Sequence, residues 1–354
     1  MTGRSLRVVF MGSPEFAVVS LQALARRHEV VAVVTQPDRP QGRGRKLAPP
    51  AVKVAAEALG LKVLQPETLR RQSVRQALEA LNADLFVVAA YGKILSAKML
   101  AIPPMGCINV HASLLPRLRG AAPIHWAVIR GEPESGITIM QMDEGMDTGP
   151  MLLQRRLALA PDETAGSLHD RLAPLGAELL LQAVDGVLDG TVAPTPQPAN
   201  GSTLAPMLSK DDGQVDFTLD AHGVACHIRG MDPWPGAFAS LECARSGPVP
   251  GPLRGGASPE SGVERATRDR APGVTERIKL FAAGEEAGEL GATPGRVLGT
   301  DSRGLLVACG DGAVRIGELQ LPGRRRMIAA ALLAGRPMPT GTQLGRVADA
   351  GRTQ

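Results

Sequence analysis

An α/β protein of two domains is the fold class that the sequence predicts, with a Rossmann-like N-terminal domain on a parallel sheet and a C-terminal β-barrel. In residues 1–190, short apolar runs alternate with helical patterns, and this order produces parallel strands joined by right-handed crossovers. A proline-rich segment, 191–210, follows and is expected to be a semi-rigid linker. Short alternating runs with glycine-rich turns then fill 211–345 and indicate a small barrel.

The composition supports two hydrophobic cores. The chain has 354 residues, 44% of them hydrophobic, but its aromatic residues are only six Phe, two Trp and one Tyr. With so few aromatic rings, stacking on nucleic acid bases is not expected to be the main mode of binding. The net charge of +4 suits an anionic partner, although the position of the charges matters more than their sum.

The cysteines and the apolar runs bear on the compartment. Cys107, Cys226, Cys243 and Cys309 are far apart and form no C-x-x-C pair. Neither a zinc site nor a disulfide framework is therefore expected, and we expect no metal. No apolar run approaches the length of a membrane span, and no apolar signal core precedes the first strand. These features predict a cytoplasmic protein that does not bind a membrane.

The chain opens with the pattern of a strand, a helix and a second strand. The apolar run 6–11 predicts a buried strand, and Pro14 suits the first turn of a helix at 15–26. The run 30–34 predicts the next strand, parallel to the first. The turn between the first strand and the helix lacks the G-x-G-x-x-G spacing, so we do not expect NAD as a cofactor.

A basic loop, residues 36–50, follows the second strand. It contains several prolines and glycines, so we expect no regular element there. The loop lies beyond the carboxyl end of a parallel strand, where open sheets hold ligands. An ordinary solvated loop is the alternative interpretation. One acidic residue, Asp38, accompanies four basic ones: Arg39, Arg43, Arg45 and Lys46.

The remaining patterns predict the other elements of both domains. The N-terminal strands are expected at 62–64, 84–90, 107–111, 136–142 and 151–153, and the helices at 50–59, 69–81 and 167–188. In the C-terminal domain, strands are expected at 215–217, 237–241, 278–282, 296–298, 305–308 and 314–319, and helices at 220–228 and 327–333. The Gly, Pro and Arg-rich stretch 245–277 has little to bury and is expected to be a disordered excursion between two barrel strands.

The expected strand 107–111 carries two side chains that are suited to catalysis. Side chains alternate along a strand, so Asn109 and His111 point to the same face. Asp147 lies beyond the end of the strand 136–142, where a loop can bring its carboxylate to the histidine. Asn and His can donate to an oxygen that gains negative charge during acyl transfer, and Asp can orient the imidazole and handle the amine's proton. A turn cap, a buried histidine and a loop aspartate are the structural alternative.

Several separated strings resemble the folate-dependent formyltransferases. They occur in this order: VVFMGSPEFAV, TQPDRPQGRGRKLAPPAVK, DLFVVAAYGKIL, INVHASLLPRLRGAAPIHWA, GITIMQMDEGMDTGPML and RGMDPWPGAF. The resemblance covers most of residues 6–240 and weakens at 244–276 and in the C-terminal tail. It implies a Rossmann-like formyltransferase domain and an OB-like second domain.

The resemblance also implies substrates and site residues. The formyl donor is expected to be 10-formyltetrahydrofolate, used as a cosubstrate. Within the family, the strings are most similar to members that formylate initiator methionyl-tRNA, so this RNA is the expected partner of a monomeric enzyme. Asn109, His111 and Asp147 are the implied catalytic residues. Folate contacts are implied for Tyr91, Gly92, Ser113, Leu114, Leu115 and Pro116. Contacts of the basic loop with the tRNA acceptor stem are implied for Arg39, Arg43, Arg45 and Lys46.

Two other functions remain open at this point. A formyltransferase that acts on a small amine, such as a purine-pathway ribonucleotide or an amino sugar, would need neither the basic loop nor the second domain. A noncatalytic RNA-binding protein on the same scaffold would have no use for Asn109, His111 and Asp147 together.

Overall fold

The computed structural model describes residues 5–41, 46–241, 276–288 and 291–345. These residues form two compact units. Unit 1 comprises Met1–Ser209 with Gly230–Pro233, and unit 2 comprises Lys210–Arg229 with Trp234–Gln354.

Unit 1 alternates strands with helices. Its strands are β1 (Arg7–Gly12), β2 (Glu29–Val34), β3 (Arg39–Gln41), β4 (Lys46–Ala48), β5 (Val63–Leu64), β6 (Leu85–Ala89), β7 (Cys107–His111), β8 (Arg119–Gly120), β9 (Glu134–Gln141), β10 (Met151–Ala158) and β11 (Leu204–Ala205). Its helices are α1 (Glu15–Arg27), α2 (Ala51–Ala58), α3 (Gln72–Glu79), α4 (Ala97–Leu100), α5 (Pro123–Ile129) and α6 (Ala165–Asp189).

The main sheet of unit 1 has the strand order β10-β9-β7-β6-β1-β2-β5. The five strands from β7 to β5 are parallel, whereas β9 is antiparallel to β7 and β10 is antiparallel to β9. The sheet is therefore mixed but mostly parallel, which confirms the Rossmann-like expectation. All five residues of β6 are buried, as expected for a central strand covered on both faces.

Helices and loops cover the two faces of this sheet. Phe10 and Val110 point to one face and pack in the same cluster as Leu172 of α6. Phe86 and Tyr91 belong to the cluster on the opposite face. Because Ile108 and Val110 of β7 belong to the first cluster and Cys107 to the second, Asn109 and His111 must point to the second face.

Unit 2 is mostly antiparallel β-structure. It contains a 3-10 turn (Asp211–Gly213), α7 (Ala221–Gly230, whose last residue belongs to unit 1), β12 (Phe238–Leu241), β13 (Glu276–Glu286), β14 (Val297–Asp301), β15 (Gly304–Ala308), β16 (Ala313–Gln320), β17 (Met327–Ile328), α8 (Ala329–Gly335) and β18 (Leu344–Gly345). The strand order is β14-β15-β16-β13-β12-β18, with β17 paired to β16. An isolated bridge between Arg296 and Gln343 joins the two outer edges, so the sheet curls into the OB-like shape that was expected.

Three expectations about local structure were wrong. The basic loop forms regular structure, because β3 and β4 pair as an antiparallel ribbon in which Arg39 lies opposite Ala48. Pro40 fits there because a two-stranded ribbon leaves alternate main-chain groups unpaired. No strand forms at 215–217, where Asp216 instead accepts from the amide and hydroxyl of Thr218 in a turn. The expected excursion also ends earlier, because β13 begins at Glu276, while residues 242–275 lie outside the described residues.

The expected linker lies along unit 1 for part of its length. Thr195 pairs with Met151, and β11 pairs in parallel with β8. In the described ranges, no helix has both the length and the apolar character that a membrane crossing requires. Nor do these residues include a cluster of three or more His, Cys, Asp or Glu side chains suited to a metal ion.

Candidate active site

Asn109, His111 and Asp147 come together on one face of β7. The loop between β9 and β10 returns over this face and carries Asp147 to both residues. Asn109 Nδ2 lies 3.5 Å and His111 Nδ1 lies 3.7 Å from the same oxygen, Asp147 Oδ1. Asn109 and His111 are buried, at 9% and 5% exposure, so the charge that develops here is poorly screened by water.

A main-chain carbonyl fixes the orientation of His111. Its Nε2 lies 3.0 Å from the carbonyl oxygen of Leu118. A carbonyl oxygen only accepts, so Nε2 carries a proton and donates it to this bond. Nδ1 is therefore the ring nitrogen that faces Asp147 and can take up or release a proton. At 3.7 Å the imidazole and the carboxylate are at ion-pair distance and are too far apart for a direct hydrogen bond.

The backbone is strained on both sides of the histidine. Asp147 has φ 54° and Leu118 has φ 58°, the left-handed region that side chains with a Cβ rarely adopt. Asp147 Oδ2 accepts from the amide of Gly120 at 2.8 Å, which ties the loop of Asp147 to β8. Such conformations persist only where several contacts hold them, and they concentrate at functional sites.

Thr138 holds the turn 113–116, from which folate contacts were expected, by two hydrogen bonds to its main chain. Thr138 Oγ1 donates to Ser113 O at 2.7 Å and accepts from Leu115 N at 3.2 Å. The Ser113, Leu115 and Pro116 side chains are buried, and Leu114 is half-buried. Leu114 is therefore the residue of this turn that is least buried.

Tyr91 and Gly92 lie just beyond the end of β6. The Tyr91 side chain is buried in the core, and burial raises the pKa of its hydroxyl to about 12. Its carbonyl oxygen accepts from Gln36 Nε2 at 3.0 Å, and Gly92 has φ 76°. The polar groups of this turn at the edge of the sheet are therefore main-chain groups.

Side-chain contacts of Asp38 hold the base of the ribbon of β3 and β4. Asp38 contacts Lys53 Nζ at 2.8 Å and accepts from Gln65 Nε2 at 2.6 Å. The hydrogen bond from Gln65 and the one from Lys53 lower the pKa of the Asp38 carboxyl. Arg39 is exposed on β3. Arg43 and Arg45 lie outside the described residues, as does the side chain of Lys46, which begins β4.

Sequence reasoning missed the residues that hold the site through main-chain contacts. Leu118 and Gly120 act through a carbonyl and an amide, so their side-chain types carry no signal. Thr138 was assigned only to a strand, and Gln197 only to the linker. Gln197 Nε2 donates to Asp147 O at 2.8 Å across fifty residues of sequence, a contact that no local pattern predicts.

Chemically, the site combines two donors with one acceptor. The Asn109 amide can donate to an oxyanion, and a protonated His111 Nδ1 can do the same or return a proton. The Asp147 carboxylate can receive a proton and stabilise a cationic imidazole. This combination suits the addition of a nucleophile to a carbonyl carbon.

Comparisons with known proteins identify relatives of both parts of the chain. Residues 6–184 match the Formyl transferase family, and residues 207–249 and 265–337 match the Formyl transferase, C-terminal domain family. The methionyl-tRNA formyltransferase of Trichlorobacter lovleyi is 46% identical over 345 residues, covering 97% of this chain and 98% of that protein. That of Geobacter sulfurreducens is 45% identical, covering 96% and 97%.

Solved structures share the fold at low identity. An N-formyltransferase from Helicobacter canadensis, solved with folinic acid and dTDP-3-aminofucose, has a TM-score of 0.60 at 17% identity and covers 88% of this chain and 98% of its own. HypX from Aquifex aeolicus with tetrahydrofolic acid has a TM-score of 0.57 at 17% identity and covers 97% of this chain, which spans only 51% of HypX. These two likenesses establish the fold alone.

The family follows from the matches in sequence, which cover both units and reach 46% identity over nearly the whole length. The chain belongs to the methionyl-tRNA formyltransferase family.

Proposed function

We propose that this protein transfers the formyl group of 10-formyltetrahydrofolate to the α-amine of initiator methionyl-tRNA. One observation carries the proposal: Asn109 and His111 converge on a single carboxylate oxygen of Asp147, at 3.5 and 3.7 Å. The relatives named methionyl-tRNA formyltransferase match 96–97% of the chain, which supports the choice of tRNA as the acceptor.

The reaction needs an addition and an elimination. The neutral amine attacks the formyl carbon and forms the new C–N bond, while the carbonyl electron pair moves to oxygen. Asn109 and a protonated His111 stabilise that oxyanion by hydrogen bonding. Collapse then breaks the bond between the formyl carbon and the folate nitrogen. The attacking amine loses one proton and the folate nitrogen gains one, and Asp147 with His111 carries that proton.

Separate groups of residues bind the folate and the tRNA. The Leu114 side chain and the main chain of 113–116, together with the main-chain groups of Tyr91 and Gly92, line the folate site. Arg39, Arg43, Arg45 and Lys46 bring positive charge to the mouth of the site, where they meet phosphates of the acceptor stem. The contacts of Asp38 with Lys53 and Gln65 support this role because they anchor the base of the ribbon.

Two broader features complete the proposal. All three catalytic residues come from one chain, which supports activity as a monomer. Translation initiation takes place in the cytoplasm, so we place the protein there.

A side-by-side assay tests the function. The wild-type protein is incubated with 10-formyltetrahydrofolate labelled in the formyl group and with charged initiator tRNA, charged elongator methionyl-tRNA or a small amine. We expect rapid labelling of the initiator tRNA and much slower labelling of the other two. Preferential labelling of a ribonucleotide amine or an amino sugar overturns the proposal in favour of a small-molecule formyltransferase.

A further inference from the structure

The segment 195–205, beyond the end of α6, lies against both loops that hold the catalytic groups. Main-chain pairing fixes its two ends. Thr195 and Met151 exchange two hydrogen bonds of 2.8 Å, and Ala205 of β11 pairs with Gly120 of β8. Two side chains between these ends, Gln197 and Thr203, reach the catalytic site.

Gln197 joins the loop of Asp147 to β8. Its Nε2 donates to Asp147 O and to Gly149 O, both at 2.8 Å. Its Oε1 accepts from Arg119 Nη2 at 2.6 Å and from Arg119 Nε at 3.2 Å. All the hydrogen-bonding capacity of the amide is used. Because Asp147 has φ 54°, its backbone needs such external contacts to keep the carboxylate beside His111.

Thr203 holds the residue that orients His111. Its Oγ1 accepts from Leu118 N at 2.9 Å, and its carbonyl oxygen accepts from Arg119 N at 2.8 Å. The carbonyl of Leu118 in turn accepts from His111 Nε2. Since Leu118 has φ 58°, the hydrogen bond from its amide stabilises a conformation that is strained for leucine.

We propose that the 195–205 segment is part of the catalytic machinery, with Gln197 and Thr203 as positioning residues for Asp147 and His111. Gln197 sets the position of the carboxylate through the Asp147 main chain. Thr203 sets the Leu118 carbonyl, which decides the ring nitrogen of His111 that keeps its proton. This inference rests on the proposed function and adds the segment that follows α6 to the active site.

A positioning role predicts a particular kinetic signature. Neither side chain contacts the reacting atoms, so their loss should displace the catalytic groups while both substrate sites stay intact. Displacements of about 1 Å at reacting groups lower rates by up to about 100-fold. We therefore expect Gln197→Ala and Thr203→Val to lower kcat about 10- to 100-fold while KM for the formyl donor and for tRNA changes less than about 3-fold.

The test compares full-length variants with matched controls. Thr203→Ser keeps the accepting oxygen and should restore kcat to within about 3-fold of wild type, whereas Thr203→Val should not. Gln182→Ala removes a glutamine that also accepts from an arginine, Arg155, but on the exposed side of α6. Thr191→Val removes a hydroxyl bonded to Asp189 just before the segment. Both controls should retain wild-type kcat.

The outcomes separate this inference from the proposed function. If wild type formylates charged initiator tRNA but Gln197→Ala and Thr203→Val keep kcat within about twofold of it, the positioning role is overturned and the function stands. A rise in donor KM at unchanged kcat also overturns the role, because it assigns the segment to substrate binding. If circular dichroism shows that Gln197→Ala does not fold, Thr203→Val and Thr203→Ser test the positioning role alone. Both substitutions nearly conserve the shape of threonine.

Discussion

Asp147 divides its two carboxylate oxygens between a structural and a chemical partner, because Oδ2 accepts from Gly120 N at 2.8 Å while Oδ1 faces His111 Nδ1 at 3.7 Å. A substitution can separate the hydrogen bond of Oδ2 with Gly120 from the electrostatic effect of the carboxylate on His111. An amide side chain can still accept from Gly120 through its oxygen, but it has no charge to offer the imidazole. The catalytic effect of the negative charge on Asp147 can therefore be measured while the hydrogen bond with Gly120 is retained.

Asp147→Asn is expected to fold normally and to lower kcat at least about 100-fold, as is typical when a proton-handling or charge-stabilising group is lost. Asn109→Ala and His111→Ala should have comparable effects. Rates from single-turnover assays with charged tRNA, together with circular dichroism spectra, provide the measurement. A folded Asp147→Asn enzyme that kept more than about a tenth of the wild-type rate would refute the assigned role.

Thr138 is expected to govern both stability and the turn 113–116. Its hydroxyl is buried and contacts Ser113 O, Leu115 N and Gln154 Nε2. Thr138→Val keeps the shape but leaves these groups without their partner, so unfolding free energy should fall by about 1–3 kcal/mol. Urea denaturation measures the change, and KM for the formyl donor should rise because the turn is released.

Thr138→Ser is the control for that prediction, since it keeps the hydroxyl and loses only a methyl group. It should retain the donor KM of wild type. Equal donor KM values for the Val and Ser variants would show that the hydroxyl does not hold the turn in its binding conformation.

The sequence predicted most where local periodicity decides the structure. The strand at 107–111 and the long helix α6 follow from alternating and helical patterns, and alternation alone placed Asn109 and His111 on one face. The ribbon of β3 and β4 was missed because proline and glycine content hides a short pairing of strands. The contact of Gln197 with Asp147 was missed because it joins main-chain groups to a distant side chain.

His28 is expected to make stability depend on pH. It is buried, its Nδ1 accepts from Leu6 N at 3.4 Å, and Nε2 has no hydrogen-bond partner among the described residues. Desolvation lowers the pKa of His28 from its ordinary value of 6.5, which the nearby Asp185 partly offsets. The unfolded chain thus takes up a proton more readily, so the contribution to stability is present above that ordinary value and is lost as pH falls through the lowered folded-state pKa.

Urea denaturation of wild type and His28→Gln at two pH values tests this linkage. The glutamine oxygen can accept from Leu6 N but does not titrate, so the variant should lose less stability than wild type between about pH 8 and pH 5. An identical loss in the two proteins would exclude His28 as the titrating group.

The ribbon of β3 and β4 is expected to carry tRNA recognition. Asp38 joins the base of the ribbon to Lys53 and Gln65, and Arg39, the next residue, is exposed. Arg43→Ala should strongly lower kcat/KM for charged initiator tRNA and reduce the ratio of kcat/KM for initiator tRNA to that for elongator tRNA. The affinity for tetrahydrofolate, measured by calorimetry, should stay near that of wild type.

Salt dependence separates phosphate contacts from a general loss of affinity. Each lost phosphate contact should reduce the slope of log affinity against log salt by about 0.7 to 0.9, so replacing Arg39, Arg43 and Arg45 together should flatten it by about 2 to 3. Arg26→Ala, an exposed arginine on α1, is the control and should leave slope and discrimination unchanged. Because the slope counts released counterions, it responds to the number of phosphate contacts and not to a small change in fold. A triple variant with the wild-type slope and normal preference for initiator tRNA would show that the acceptor stem is recognised elsewhere on the chain.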